Sequence, residues 1–142
     1  MTEDFAQIHL APLLRVEAMY LLGDTGVGFV ICAKEGMTTR RPGIHAVERG
    51  AVVILALMTA ELEKQLDDEL PVTYLVEAVD EATGAGWSVS VTGPVEIVVD
   101  PVLRAHYRRT LPGFESDRGV RVLRLIPRLV DGHRFHRISA AL

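Results

Sequence analysis

Cysteine is almost missing from this chain: Cys32 is the one thiol in 142 residues. A single thiol excludes an intramolecular disulfide and fits a reducing compartment. A basic excess is missing as well. The net charge is -4, which gives no general basis for nucleic-acid binding. No apolar run approaches the ~20 residues of a membrane span. The opening Thr2-Glu3-Asp4-Phe5 lacks the basic region and apolar core of a signal peptide. These absences make the cytoplasm the expected location. No repeat, low-complexity tract or linker interrupts the chain, so residues 1–142 read as one domain. There is no glycine-rich phosphate loop and no Ser/His/Asp arrangement at a recognisable spacing, so nothing announces a hydrolase. The five histidines, His9, His45, His106, His133 and His136, form no metal-ligand spacing with Cys32.

What is present is an ordinary globular composition, 49% apolar and 24% charged. A chain of this length buries about two thirds of its unfolded surface and needs no staple to fold. Ala11 to Leu22 carries apolar residues at helical spacing, with Pro12 suited to the first turn and Gly23-Asp24 ending it. Val27 to Ala33 is a buried strand, with Cys32 in it as a small hydrophobe. Thr38 to Val47 is a second strand, interrupted at Pro42-Gly43. Ala51 to Leu57 is a third, apolar throughout. Thr59 suits an N-cap for a helix with Leu62, Leu66 and Leu70 on one face, ending before Pro71. The acidic run Asp67-Asp68-Glu69 at its end reads as solvated. Val72 to Val79 is the next strand. Trp87 to Val99 alternates, with a break at Gly93-Pro94. Asp100-Pro101 caps and opens a short helix over Val102 to Arg109. Gly119 to Pro127 and Leu129 to Ile138, the latter turned at Asp131-Gly132, follow, which gives about six strands and three short helices. The connections are too short for parallel crossovers, so the expected fold is mainly β, an antiparallel barrel closing on itself.

Three marks then occur in order: Val76-Glu77-Ala78-Val79-Asp80, the loop into Gly86-Trp87-Ser88-Val89-Ser90-Val91-Thr92-Gly93, and Val98-Val99-Asp100-Pro101 before a helix. With Pro42 to Ile54 and Val122 to Phe135, this order resembles the pyridoxamine 5'-phosphate oxidase-like, FMN-binding split-barrel proteins. The resemblance spans Val27 to Phe135. It implies a six-stranded antiparallel Greek-key split barrel and a homodimer with a small-molecule cofactor at the subunit interface. That cofactor is FMN, or the deazaflavin F420 in some relatives, and haem in a few. The implied activity is that of an oxidoreductase.

The same resemblance assigns candidate cofactor contacts. A flavin phosphate needs cations and hydroxyls, and its ring needs a flat apolar slot. The family's phosphate grip follows the third strand, but here Leu55 stands at the arginine position and Glu61 near the lysine position. A carboxylate beside a phosphate is repulsive, on the order of 1 kcal/mol. Thr59 and Lys64 are the nearby substitutes. Arg40 and Arg41 precede Pro42 and point to opposite faces of a strand, so one of them can face a phosphate. Trp87 and Ser88 align with positions near the ribityl chain. Arg134, in the basic run His133-Arg134-Phe135-His136-Arg137, lies near the family's C-terminal contacts. His45 is the candidate axial ligand should the cofactor be haem. No catalytic side chain is implied, because the cofactor carries the hydride chemistry. The alternative is a non-catalytic binding or sensing barrel that has lost the flavin phosphate site, for which Leu55 and Glu61 speak.

Overall fold

The computed structural model describes residues 7–116 and 118–138. The opening Thr2 to Phe5, read above for targeting signals, lies outside them. The chain runs β1 (Gln7–Pro12), α1 (Arg15–Leu22), β2 (Thr25–Lys34), β3 (Met37–Glu48), β4 (Ala51–Leu57) and α2 (Ala60–Asp67). It continues with β5 (Val72–Val79), β6 (Gly86–Gly93), β7 (Val95–Ile97), α3 (Pro101–Thr110), β8 (Val120–Leu125) and β9 (Leu129–Ile138). The strands form one curled antiparallel sheet in the order β1-β9-β6-β5-β2-β3-β4-β8-β7. The mainly-β split-barrel fold is therefore present, with nine strand segments among the described residues where six were expected. No helix of the described residues is long and apolar enough to cross a membrane.

The extra segments come from an edge pairing and a bend. β1 is an exposed edge strand paired only with β9, from Gln7↔Ile138 to Pro12↔His133. Pro12 thus ends a strand rather than opening α1, which starts three residues later at Arg15. The Trp87 to Val99 stretch divides at Gly93-Pro94. A Cβ on Gly93 would run into the carbonyl of Ile126, so only glycine lets the two chains pass there. Beyond the bend β6 has exchanged its β9 partner for β8, which pairs with β7. The bonds Ile126 N to Pro94 O and Arg128 N to Thr92 O, at 3.0 and 2.9 Å, carry the ribbon round the corner. Two expected breaks are absent. β3 is continuous through Pro42-Gly43, because Pro42 sits one residue beyond the last β4 pairing, Gly43↔Ala56, where no N–H is needed on that side. β9 likewise runs unturned through Asp131-Gly132.

The core follows from strand alternation. Val30 and Cys32 of β2, Val52, Ile54 and Ala56 of β4, Val72, Tyr74 and Val76 of β5, and Leu123 and Leu125 of β8 fill the concave side. Ala18 and Leu22 of α1 and Leu62 of α2 pack onto the same cluster. The opposite face of β3, β4 and β8 makes a second cluster, in which Ile44, Val53, Leu55 and Val122 meet Leu111 from the segment after α3. Burial on both faces explains why β4 is apolar throughout. Gln65 ties α2 to the sheet: its amide nitrogen donates to Pro71 O at 2.8 Å, and its oxygen accepts from Ala33 N at 3.4 Å. Helix α2 ends at Asp67, so Leu70 is exposed rather than part of its apolar face.

Candidate functional site

The residues singled out from the sequence fall in three places within one chain. Arg40 and Ser88 share the convex face of the sheet. The Arg40 guanidinium lies 5.2 Å from the ring centroid of Phe29 and 3.6 Å from the Glu77 carboxylate. Ser88 stands in register between Glu77 and His133. Val27 is 64% exposed on this face, and Phe29 pairs with Leu75 beside it. The face therefore sets Val27, Phe29 and Leu75 beside the Arg40–Glu77 pair and the hydroxyls of Ser88 and Ser90.

Arg41, Thr59 and Lys64 lie on the other side, toward α2. Arg41 has the opposite parity to Arg40, and its charge acts on Cys32 together with that of Glu61. Burial first, and then Glu61, push the Cys32 thiol up, so it stays protonated and inert. Thr59 caps α2, its Oγ1 accepting from Leu62 N at 3.2 Å. Lys64 pairs with Asp68 one turn on at 3.2 Å. With Ala33, Gln65 and Leu70 it lines a cavity of about 290 Å³. Trp87 and Arg134 form the third place, facing each other across β6 and β9. Trp87 packs on the core, and Arg134 lines a shallow depression with Val16, Glu17 and Tyr20 of α1.

The helix end after β4 does not fit a flavin phosphate. Leu55 is 2% exposed inside the second core cluster, and Glu61 and Glu63 put two carboxylates in the first turn of α2. Thr59 Oγ1 accepts a backbone bond and the Lys64 ammonium is paired. The convex face, with Arg40, Ser88 and the Phe29 ring, has the donor set and the apolar wall that α2 lacks.

His45 is buried completely. Its Nε2 donates to Leu22 O at 3.0 Å, since a carbonyl only accepts. In the neutral ring Nδ1 then accepts from the Tyr74 hydroxyl at 2.7 Å. Desolvation pushes the imidazole pKa down against the opposing pull of the Leu22 carbonyl, which keeps the ring neutral. Both nitrogens are engaged, so His45 does not fit as an axial haem ligand. A Cβ at Gly26 would sit 2.8 Å from His45 Cε1, and one at Gly28 would sit 2.7 Å from Tyr74 Cζ. The glycines of β2 are thus the cradle of this pair. Among the described residues no group of three or more His, Cys, Asp or Glu side chains could hold a metal ion.

A cavity of about 710 Å³ lies elsewhere, between α3 and the β3–β4 turn. Val53, Ile97, Val98, Val99, Val102 and Leu103 supply its apolar lining, and Arg49, His106, Arg109 and Arg124 its basic groups. None of the seven residues proposed from the sequence lines it. Its signal in the sequence was the continuation of apolar residues past the end of β7, at Val98, Val99, Val102 and Leu103, into a helix that ends in Arg108 and Arg109.

The family's sequence profile, described as pyridoxamine 5'-phosphate oxidase, matches residues 15–134 of this fold. The chain belongs to the pyridoxamine 5'-phosphate oxidase family. A fellow sequence, the uncharacterized protein Rv0080 of Mycobacterium tuberculosis, is 32% identical over 124 residues, covering 84% of this chain and 82% of that protein. Solved structures show the same fold. A FAD-binding protein from Mesorhizobium loti is 18% identical with a TM-score of 0.71, covering 91% of this family member and 98% of that chain. A FAD-binding protein from Mycobacterium smegmatis is 23% identical with a TM-score of 0.64, covering 88% and 97%. A FAD- and haem-binding protein from the same organism is 14% identical with a TM-score of 0.60, covering 92% and 74%.

Proposed function

We propose that this family member is a cytoplasmic oxidoreductase that works as a homodimer and binds FMN, or the deazaflavin F420, between its two subunits. The observation that carries the reading is the convex face of β2, β3 and β5. It leaves Val27, Phe29 and Leu75 incompletely covered, with Arg40 and Ser88 beside them. An apolar sheet face of this kind marks an interaction or ligand surface. The FAD-binding relatives of the same fold support a flavin as the ligand class. Within this reading Arg40 meets the phosphate and Ser88 donates a hydrogen bond to it. Phe29 and Leu75 exclude water from the ring. Glu77 holds the Arg40 side chain over Phe29 until the ligand arrives. When bound, a flavin or deazaflavin supplies hydride transfer.

A second reading is favoured by Leu55 and Glu61: a non-catalytic barrel that keeps the fold and binds another small molecule. Titration of the purified protein with FMN and F420, followed by fluorescence, separates the two. Under the first reading FMN or F420 binds at micromolar concentration or tighter, Arg40→Ala weakens binding about tenfold, and Lys64→Ala leaves it unchanged. Absence of binding by both cofactors gives the second reading.

A further inference from the structure

The groove beside α3 has no part in that reading, and its charges are unevenly committed. It holds three carboxylates, two of them engaged by hydrogen bonds. Glu96 pairs with Arg124 at 3.2 Å. Glu48 lies beside the Tyr107 hydroxyl, whose pKa is pushed up by burial first and then by this carboxylate. Asp100 caps α3, accepting from Val102 N at 2.8 Å and from Leu103 N at 3.4 Å. Arg49 and Arg109, by contrast, form no ion pair among the described residues, and His106 lies on the same lining. The groove thus presents uncommitted positive charge over an apolar floor. The floor is accessible: Val99 is 75% exposed, Val102 74% and Leu103 45%. A volume of about 710 Å³ lies within the usual span of small-molecule sites, roughly 300–1,000 Å³.

We infer that this groove is a second ligand site, for a small anion with an aromatic or apolar body, its phosphate or carboxylate held by Arg109 and Arg49. The chemistry follows from the lining. An apolar ring covers Val99, Val102 and Leu103, as burial of apolar surface favours, and a guanidinium binds an oxyanion in bidentate geometry. Of the neighbouring acids, Glu96 is paired with Arg124 and Asp100 is turned to the backbone N–H groups that open α3. The inference stands apart from the flavin reading, since the convex face and the groove share none of the residues assigned to either.

The test uses the full-length protein with 1-naphthyl phosphate as the probe, 1-naphthol as its neutral counterpart and inorganic phosphate alone. Binding is followed by naphthyl fluorescence, and the site by amide chemical shifts. The expected result is that 1-naphthyl phosphate binds at least tenfold tighter than either counterpart, with shifts confined to α3, β7 and the β3–β4 turn. Arg109→Ala then weakens binding about tenfold, the value of one charge-assisted hydrogen bond, while Arg128→Ala, which removes a charge outside the groove, does not. Equal affinity for naphthyl phosphate and naphthol, or unchanged binding in Arg109→Ala, overturns the inference. So does a groove covered by a second copy, shown by no probe binding together with halving of the particle mass in Leu103→Asp. Displacement of the probe by FMN would make a flavin phosphate the occupant, whereas retention of the probe beside bound FMN would make it a separate small anion. Either result keeps the groove as the anion site.

Discussion

His45 sits without solvent access between Leu22 and Tyr74, and its neutrality is a condition of the fold. Burial holds its folded-state pKa below the 6.5 of an ordinary imidazole. The unfolded chain therefore takes up this proton first as the pH falls. The stability contributed by the neutral ring is complete above about pH 6.5 and is lost as the pH drops from there toward the folded value. Urea unfolding midpoints are expected to be level between pH 7 and 8 and to fall below pH 6.5. His45→Gln should flatten that slope, and an equally steep slope in the variant would refute the assignment. Tyr74→Phe removes the donor to Nδ1 and leaves a buried acceptor unpaired. Its expected cost is about 1–3 kcal/mol, read from the same unfolding curves.

The elements most open to testing are the bent ribbon and the cap of α3. Gly93→Ala places a methyl group against the Ile126 carbonyl. Because that contact is with backbone, relief needs the β6–β7 and β8–β9 chains to separate, and the expected loss is ~2 kcal/mol or more. A thermal midpoint within a degree of the parent would show that the corner is looser than its packing implies. Helix α3 has a different vulnerability. None of its residues is buried; its tertiary anchors include Tyr107 on the second cluster and the Arg108 bond to Val120 O at 3.2 Å, so local bonds weigh heavily, and Asp100 supplies two of them at the N-terminus. Asp100→Ala should cost about 1 kcal/mol and raise amide exchange in α3 while leaving β4 and β5 protected. Uniform deprotection of all elements would contradict that view of α3 as a locally stabilised unit.

At the scale of the whole molecule, the convex face of β2, β3 and β5 bears on assembly. An uncovered surface built from Val27, Phe29 and Leu75 is a candidate for burial between subunits. The proposed homodimer should elute and sediment at twice the chain mass. Phe29→Asp puts a charge into that interface, and the variant should run as a monomer with an unchanged far-ultraviolet spectrum. A parent that is already monomeric at micromolar concentration would remove the shared-site reading and leave each chain to bind its ligand alone.

Much of this architecture was legible before folding was considered. Ala51–Leu57, Val72–Val79 and Leu129–Ile138 appear with the bounds read from the sequence: the first is apolar throughout because both its faces are buried, and Val72, Tyr74 and Val76 of the second are buried by alternation. The Thr59 and Asp100 caps were equally legible, since a side-chain oxygen two or three residues from its donor acts within one turn of chain. β1 was not, because Gln7–Pro12 is an exposed edge strand whose only reason to extend is its partner β9. The break at Gly93-Pro94 was legible, but the backbone carbonyl that demands glycine there lies 33 positions away, at Ile126. Chemistry-bearing residue types and the family were readable from local sequence. Their grouping was not: alternation separates Arg40 from Arg41, but which of them faces α2 is set by strand pairing, and the α3 groove gathers residues from the β3–β4 turn, β7, α3 and β8. Local hydrogen bonds and periodicity are properties of short segments and are written in the sequence. Which faces meet, and which charges are left without a partner, depends on long-range pairing that only the folded chain decides.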